Sequence, residues 1–299
     1  MDHIITTHHL TKAYGARTVV DDLDLRVPPG CVYGFLGPNG SGKSTTMRML
    51  LSLARPTRGE VTVFGQPMNR DTRPALLREI GSLIEAPPGY AHLTGRENMA
   101  IVQRMLGLSD RQVSRAVATV RLQEHMGKLV RAYSLGMKQR LGIAMALARE
   151  PRLLVLDEPT NGLDPAGIEE IRGLLVTLAG EGVTVMVSSH LLDEIDRMAS
   201  VLGILGSGKL VFQGTRTELF HRSVPDLLVD TPEPDRALAL GIPAVRAERG
   251  VRLSGFGDED TAALVRRLVA EDVPVHGVRR VQQSLEEVFM DLTGREGLL

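Results

Sequence analysis

The sequence predicts an α/β fold, in which a mainly parallel core sheet carries a helical subdomain and is followed by a small C-terminal α+β appendix. Short apolar runs of β type alternate with helical stretches up to about residue 222, an order typical of parallel sheets. Between about residues 87 and 150 the stretches are helical instead. After residue 222 a second, shorter series of strands and helices begins.

Composition limits the class of protein. The 299 residues are 43% hydrophobic and 24% charged, with a net charge of −1, so the chain is expected to be globular without a general attraction to nucleic acid. No run approaches the roughly 18 uninterrupted apolar residues of a membrane span. The N-terminus lacks a basic-then-apolar secretion signal. The single cysteine, Cys31, fits a reducing compartment. We therefore expect a cytosolic protein that can still dock on a partner elsewhere.

The first domain is expected over residues 1–222. Its first half reads as β-type stretches in IITTHHLTKAYG and TVVDDLDLRV, a turn at PPG, a buried strand VYGFL, a helix STTMRMLLSL and a strand EVTVFG. Its last part reads as a strand RLLVLDE, a helix AGIEEIRGLLVTLAGEG, a strand VTVMVSS and a hairpin VLGILGSGKLVFQG.

The helical subdomain is predicted from its caps. Thr94 with Glu97, and Ser109 with Gln112, have the spacing of capping boxes at two helix starts. A third helix follows in MKQRLGIAMALARE, opened by Ser134.

The second domain is expected over residues 223–299. It reads as a strand DLLVDT, a helix PEPDRALAL, two strands around Arg249 and Gly250, a helix DEDTAALVRRLVAEDV, a strand VHGVRRV and a capped helix SLEEVFMDLTG. All residues of the chain that are candidates for binding phosphate lie before residue 223. We therefore expect an accessory domain that regulates or docks and carries no chemistry.

The stretch GPNGSGKST has the pattern G-x-x-x-x-G-K-[ST] between a predicted strand and a predicted helix, which is the context of a P-loop. Lys43 is then expected to reach the β- and γ-phosphates, and the Ser44 hydroxyl to bind Mg²⁺. The core is thus predicted to be a P-loop NTPase sheet; the alternative is a glycine-rich turn. The candidate phosphate-binding residues are Gly37, Pro38, Asn39, Gly40, Ser41, Gly42, Lys43, Ser44 and Thr45.

Polar residues also follow two later apolar strands. RLLVLDEPT places Asp157 and Glu158 at a strand end, and VTVMVSSH places His190 at another. Ligands gather at the carboxyl ends of strands in open α/β sheets. One carboxylate can hold Mg²⁺ through water, its neighbour can take a proton from water, and the imidazole can sense a γ-phosphate. The alternatives are two solvated turn acids and a structural histidine.

Two further candidates are less specific. Tyr14 in KAYG offers a ring for an adenine face, or is a half-buried strand residue. In YSLGMKQR, Ser134 occupies an N-cap position and Gly136 leaves the backbone bare. The free N–H groups of this helix start favour an anion. The chain therefore has a second helix start that can bind phosphate, besides the one that follows the P-loop.

The order of P-loop, helical insert, SLGMKQR, LDEPTNGLDP and SSH resembles the ATP-binding cassette ATPases of ABC transporters over roughly residues 2–222. In that family the stretch from Ser134 is the signature motif, usually S-G-G-Q. Ser134 and Gly136 match, whereas Leu135 and Met137 depart, which predicts altered contacts and a retained site. The resemblance implies a head-to-tail pair of cassettes, in which the signature of one closes over the ATP bound by the other.

The same resemblance gives roles by position. Glu158 would polarise the hydrolytic water and His190 would contact the γ-phosphate. Asp157 and Ser44 would hold Mg²⁺, and Tyr14 would stack on the adenine. The implied cofactors are ATP and Mg²⁺.

Asp164, in GLDP, would lie across the dimer interface.

A narrower resemblance concerns the exporters of bacitracin and lantibiotic type, whose permeases are separate membrane proteins. It rests on IGSLIEAPPGYAHLTGRENM and on the tail SLEEVFMDLTG. It implies an ATPase subunit on the inner face of the cell membrane, bound through its permease and serving antimicrobial peptide or drug efflux. Glu85 stands where most ABC ATPases have a glutamine, so the resemblance also implies a charged Mg²⁺ contact there. The alternative is that the register slips and Glu85 is a solvated loop acid.

Other classes fit less well. An ABC-type ATPase acting on DNA or ribosomes would carry a coiled-coil insert or a second cassette, and the chain shows neither. A P-loop kinase would need no signature motif, whereas this chain has one. A GTPase would need a guanine-reading motif such as N-K-x-D, which the sequence lacks. Glu158 and His190 argue against a regulatory subunit with little turnover.

Overall fold

The computed structural model describes residues 3–85, 87–222 and 225–293. Two predicted segments lie partly outside these ranges: the exporter-type stretch at Ala86 and the tail helix at Gly294. The same holds for the two predicted domains, at residues 1–2, 223–224 and 295–299. The backbone divides after Thr215, and the second unit spans Arg216–Asp291. The helix Arg216–Arg222 thus falls in the second unit, whereas the sequence boundary assigns it to the first domain.

The first unit contains two sheets, and its elements follow the predicted order with some short additions. Its strands are β1 Ile5–Tyr14, β2 Arg17–Leu23, β3 Arg26–Val27, β4 Val32–Leu36, β5 Arg58–Val63, β6 Gln66–Pro67, β7 Ile80–Leu83, β8 Leu153–Asp157, β9 Thr184–Ser189, β10 Val201–Gly206 and β11 Lys209–Thr215. Its helices are α1 Lys43–Leu50, α2 Arg73–Leu76, α3 Gly95–Leu106, α4 Asp110–Thr119, α5 Leu135–Leu147, α6 Pro165–Gly180 and α7 Leu192–Asp196. Two 3₁₀ turns, Gln123–His125 and Val130–Ala132, lie between α4 and α5.

The core sheet is mainly parallel, which confirms the predicted α/β class. Its strand order is β11-β10-β4-β9-β8-β7, and only the edge pair β10–β11 is antiparallel. Strands β4, β8 and β9 are buried along their whole length. Strands covered on both faces need such continuous apolar runs, and the carboxyl ends of these three meet at one edge.

A second, antiparallel sheet has the order β2-β1-β5-β6, with β3 paired to β1. The pairing of β1 with β2 shifts register between Leu10 and Lys12 and again between Lys12 and Ala13, as at a β-bulge. The two sheets share one apolar core, in which Ile5, Leu10 and Phe35 are fully buried.

The helical insert forms as its caps predict. Both capping boxes are present, at Thr94 with Glu97 for α3 and at Ser109 with Gln112 for α4. The Ser134 side chain accepts the Met137 N–H and so caps α5. Each such cap stabilises its helix start by about 1 kcal/mol.

The second unit has the predicted α+β order. Its elements are α8 Arg216–Arg222, β12 Asp226–Asp230, α9 Pro234–Ala239, β13 Val245–Ala247, β14 Gly250–Leu253, α10 Asp258–Ala270, β15 Gly277–Val281 and α11 Leu285–Thr293, of which the last two residues are grouped with the first unit. The order βαββαβ and the antiparallel sheet β13-β14-β12-β15 form a split βαβ arrangement of ferredoxin type. Leu227, Val229, Val251, Leu264 and Leu268 belong to its own apolar core.

Charged residues also hold this unit together. The Asp226 carboxylate is 2% exposed and accepts from Arg252 Nε at 2.6 Å and from Gln283 Nε2 at 3.0 Å. Arg252 also contacts Glu287 of α11, Nη1 to Oε1 at 2.7 Å. Partial burial opposes ionisation of Glu287, but the Ser284 N–H and Arg252 outweigh it and lower its pKa. This network links α11 to the sheet.

Within the described ranges, no helix has the length and the apolar character needed to cross a bilayer.

Candidate nucleotide site

The P-loop follows β4 and leads into α1, and two of its glycines are required by close contacts. Gly42 has φ +104°, and a Cβ there would lie 2.8 Å from the Val19 carbonyl oxygen. A Cβ on Gly37 would lie 2.4 Å from Ser41 Oγ. These glycines let the loop wrap closely, with its backbone N–H groups at the start of α1, where an anion is favoured.

The loop also contains buried hydroxyls that lack a partner. Ser41 is 3% exposed, and its Oγ makes no hydrogen bond; Thr46 Oγ1 in the first turn of α1 is equally unpaired. Leaving such a group unsatisfied costs about 1–3 kcal/mol. Phosphate oxygens can accept from the Ser41 hydroxyl, so the residues present fit the phosphate chain of ATP.

Lys43 lies at the centre of the site. It is 6% exposed, and its Nζ donates to the Gly37 carbonyl at 2.7 Å and to the Pro38 carbonyl at 3.3 Å. Burial lowers its pKa, and the nearby carboxylates of Glu158 and Asp157 offset only part of this effect. An ammonium held by loop carbonyls can exchange them for phosphate oxygens, which are stronger acceptors.

Asp157 and Glu158 stand at the end of β8, as predicted. Ser188 Oγ, at the end of β9, donates to Asp157 Oδ1 at 2.6 Å and accepts the Glu158 N–H at 2.9 Å. Glu158 has φ +48°, which turns the chain sharply away from the strand. Sequence reasoning missed Ser188; the signal was a pair of serines closing an otherwise apolar strand.

Glu158 contacts two other predicted site residues. One carboxylate oxygen, Oε2, lies 2.6 Å from His190 Nδ1, and the other, Oε1, lies 3.6 Å from Lys43 Nζ. Three separate segments thus meet at one carboxylate. A carboxylate oriented in this way can accept a proton from a nearby water.

The oxygen donors expected for Mg²⁺ include Ser44 at the start of α1 and Asp157 at the end of β8. Among the described residues, no cluster of three or more His, Cys, Asp and Glu side chains could hold a metal ion. Glu85, the third predicted ligand, lies after β7, is largely exposed and forms an ion pair with Arg48 of α1.

Tyr14 ends β1 and is 50% exposed. Lys12 Nζ lies 4.7 Å from the centre of its ring. The β1–β2 hairpin turns at this point and reaches the P-loop through the contact of Val19 with Gly42.

The signature segment contacts a different part of the chain. A Cβ on Gly162 would lie 2.9 Å from the Leu135 side chain, and one on Gly136 would lie 3.7 Å from Leu163. Asp164 caps α6 by accepting the Gly167 N–H at 3.0 Å.

Ser134 itself is exposed, and among the described hydrogen bonds none joins it to the P-loop.

Known proteins resemble this chain over most of its length. The ABC transporter family model matches residues 20–161. The bacitracin transport ATP-binding protein BcrA of Bacillus licheniformis is 48% identical, over 98% of both chains. The lantibiotic transport ATP-binding protein SrtF of Streptococcus pyogenes is 42% identical, over 70% of this chain and 90% of its own. A solved dimeric ATP-binding cassette in a post-hydrolysis state with ADP and Pi is 25% identical, with a TM-score of 0.64 over 71% of this chain and 98% of that chain.

Three observations point to the same family. They are the P-loop, the carboxylate held between a lysine and a histidine, and the 48% identity to a transport ATP-binding protein over 98% of both chains. The sequence resemblance to the cassette ATPases is confirmed. The chain belongs to the ATP-binding subunits of ABC transporters, and the reaction it catalyses is ATP hydrolysis.

Proposed function

We propose that this chain is the nucleotide-binding subunit of an exporter, that it works as a head-to-tail dimer, and that it powers a separate membrane permease. The cargo we propose is an antimicrobial peptide of the bacitracin or lantibiotic class. Identity of 48% to a bacitracin transport ATP-binding protein over 98% of both chains supports this assignment. Its location is then the inner face of the cell membrane, bound through the permease.

The observation that carries the mechanism is the position of Glu158 between His190 and Lys43. Glu158 accepts a proton from the attacking water, and His190 hydrogen-bonds the γ-phosphate and holds the carboxylate in place. Lys43 binds the β- and γ-phosphate oxygens, and Ser41 with the loop N–H groups completes the cradle. Ser44, Asp157 and Glu85 would hold Mg²⁺, which would supply positive charge that neutralises the phosphates.

The dimer is proposed because each chain carries one P-loop and one signature motif, and each of these forms one half of an ATP site. Ser134 is the exposed N-cap of α5, and its described hydrogen bonds are with its own helix and not with the P-loop. A two-fold pair would bring the Ser134 and Gly136 of each chain over the ATP held by the other. In such a pair Asp164 lies at the interface, and Tyr14 stacks on the adenine.

The residues after 222 are proposed to be an accessory domain with a docking or regulatory role. Every residue assigned to phosphate, metal or water lies in the first unit, which supports this division.

The test of the hydrolytic site is Glu158→Gln. Losing the base should lower kcat by roughly 10²- to 10⁴-fold and leave the phosphate cradle intact. ATP should then trap the closed dimer, which size-exclusion chromatography with ATP and with ADP detects. Glu170→Gln, an exposed glutamate of α6, is the control. Parent-rate hydrolysis in the Glu158→Gln variant would remove Glu158 from the mechanism.

The test of the cargo is resistance in cells. The chain expressed with its permease should raise tolerance to bacitracin, and Glu158→Gln should abolish the gain. Unchanged tolerance to bacitracin and to lantibiotics, with ATPase activity intact, would reject this cargo class while leaving the ATPase assignment in place.

A further inference from the structure

A buried carboxylate lies beside the hydrolytic pair and has no part in the mechanism described above. Glu194, on the short helix α7, is 7% exposed. Its Oε2 accepts from Thr160 Oγ1 at 2.5 Å and from Ser189 Oγ at 3.3 Å, whereas its Oε1 makes no hydrogen bond. Burying a carboxylate is unfavourable unless it is well paired, so its presence here calls for a specific role.

Its two partners belong to the two loops that carry the hydrolytic pair. Thr160 lies two residues after Glu158, and Ser189 lies directly before His190. Both partners are buried, at 4% and 3% exposure. Glu194 therefore bridges the segment after β8 and the segment after β9.

The bridge is one of two that flank the pair. Ser188 joins the same segments on the strand side, through Asp157 and the Glu158 N–H. Ser189 Oγ also accepts the Leu191 N–H at 2.9 Å and shares its single proton between Glu194 Oε2 and the Leu191 carbonyl oxygen, at 3.2 Å from the latter, which fixes the turn that contains His190. The 2.6 Å contact of His190 with Glu158 is thus flanked by two bridges, one through Ser188 and one through Glu194.

The helix that carries Glu194 is itself closely packed. A Cβ added to Gly34 of β4 would lie 2.4 Å from Ile195 Cγ2 and 3.0 Å from Ala199 Cβ. A helix seated so closely on the central strand has little room to shift, since protein interiors are packed as densely as organic crystals. The position of Glu194 is therefore fixed by the rigid sheet rather than by a loop.

We propose that Glu194 is a positioning residue, whose carboxylate joins Thr160 and Ser189 and so holds Glu158 and His190 in the geometry that hydrolysis needs. It touches neither ATP nor water in the reaction. The proposal rests on the function assigned above, in which Glu158 and His190 act on ATP. Displacement of a reacting group by about 1 Å can lower a rate on the order of 10²-fold, so small movements of either loop matter.

The first test is Thr160→Val, which removes the hydroxyl and keeps the shape. We expect kcat to fall by roughly 10- to 100-fold with the KM for ATP within about twofold, because the P-loop is untouched. Thr160→Ser restores the donor and should restore most of kcat. Loss of ATP affinity in step with kcat would contradict a positioning role.

The second test compares substitutions at Glu194. Glu194→Met has a similar length but accepts no hydrogen bond, and it should lose kcat as Thr160→Val does. Glu194→Gln keeps an acceptor and should retain most of the activity. Asp193→Asn, at the exposed neighbouring acid, is the control and should stay at the parent rate.

The double variant Thr160→Val with Glu194→Met decides whether the two act as one unit. Non-additive loss is expected, with the double variant close to either single variant. Multiplicative losses, or parent kcat in the Thr160→Val protein, would overturn the proposal. If Glu194→Met does not fold, the Thr160 series alone decides. If Glu158→Gln itself keeps the parent rate, the proposed mechanism fails instead.

Discussion

The buried polar network of the second unit differs from some of the buried polar groups near the nucleotide site of the first unit. In the second unit the Asp226 carboxylate is 2% exposed and is fully engaged by Arg252 and Gln283. In the first unit Ser41 Oγ and Glu194 Oε1 are buried without hydrogen bonds. A buried group that is hydrogen-bonded within its own chain stabilises the fold, whereas an unsatisfied one is unfavourable until a hydrogen-bond partner reaches it.

This difference distinguishes residues that hold the protein together from residues that do its work. Substitutions in the satisfied network should change stability and leave ATP turnover alone. Substitutions at the open groups and at the signature segment should do the reverse. Three substitution experiments test that contrast, in order of their expected effect on ATP handling, and a dependence of stability on pH follows them.

The largest effect is expected from mixing Ser134→Arg with Lys43→Ala. Each variant alone should lose most of its turnover, because every site of its dimer lacks one half. In an equal mixture half of the dimers are mixed, with one intact site of two, so about a quarter of the parent turnover should return if sites act independently. Turnover measured against mixing ratio checks this.

Ser109→Arg is the matched control for that experiment, since Ser109 caps α4 as Ser134 caps α5 and is equally exposed. Ser134→Arg should still bind ATP within about twofold as a monomer, because the loss of a cap affects mainly its own helix start by about 1 kcal/mol. A Ser134→Arg monomer that binds no ATP, or a mixture that stays inactive, would argue against shared sites.

A smaller effect is expected from Glu85→Gln. The carboxylate pairs with Arg48 near the P-loop helix and is proposed to face the metal, so its charge should make ATP binding depend steeply on Mg²⁺. The amide should flatten that dependence by about two- to fivefold, the range of an exposed charge interaction. Isotherms at several Mg²⁺ concentrations measure it.

Glu79→Gln, which breaks another exposed ion pair, with Arg152, is the control. Superimposable Mg²⁺ curves for the parent and the Glu85→Gln protein would show that Glu85 does not sense the metal.

The smallest effect on ATP is expected from Asp226→Ala, although its effect on stability should be large. Removing one member of this buried network should destabilise the second unit by about 3 kcal/mol, and ATP binding should stay within about twofold. Asp235→Ala, in an exposed ion pair with Arg246, should change neither. Proteolysis of the second unit together with ATP titration separates the two outcomes, and lost ATP binding would contradict the division of roles.

The same network predicts acid sensitivity. The pKa of Glu287 is lowered in the folded state, so its contribution to stability is present above its unfolded pKa and is lost as pH falls through the folded value. The second unit should therefore lose stability as pH falls below the ordinary glutamate pKa of 4.5, and Asp226→Ala should move that transition to higher pH.

Much of the fold was predictable because it follows from local rules. The P-loop context, the capping boxes at Thr94 and Ser109 and the apolar strand at Val32–Leu36 all appear as predicted. The short elements were missed. Helices such as Arg73–Leu76 and Leu192–Asp196 are too brief to show a periodic pattern, and packing against the sheet forms them instead.

The site was predictable in its residues but not in its contacts. The sequence predicted that Glu158 and His190 would each follow an apolar strand, yet it predicted neither that the two strands are neighbours nor the direct hydrogen bond, because strand order depends on distant pairing. Ser188, Thr160 and Glu194 carried no motif that marks them as partners. Their roles appear only when the two loops are adjacent.

The strand order also has a consequence for synthesis of the chain. The P-loop strand β4 is flanked by β9 and β10, so Val32 finds its partner Val185 only about 150 residues later. At about 5–20 residues per second, the ribosome needs roughly 8–30 s to supply that partner. During that interval the apolar segment Val32–Leu36 emerges without its sheet neighbours, a target for chaperones and for aggregation. The nucleotide pocket is therefore among the last parts of the first unit that can be assembled.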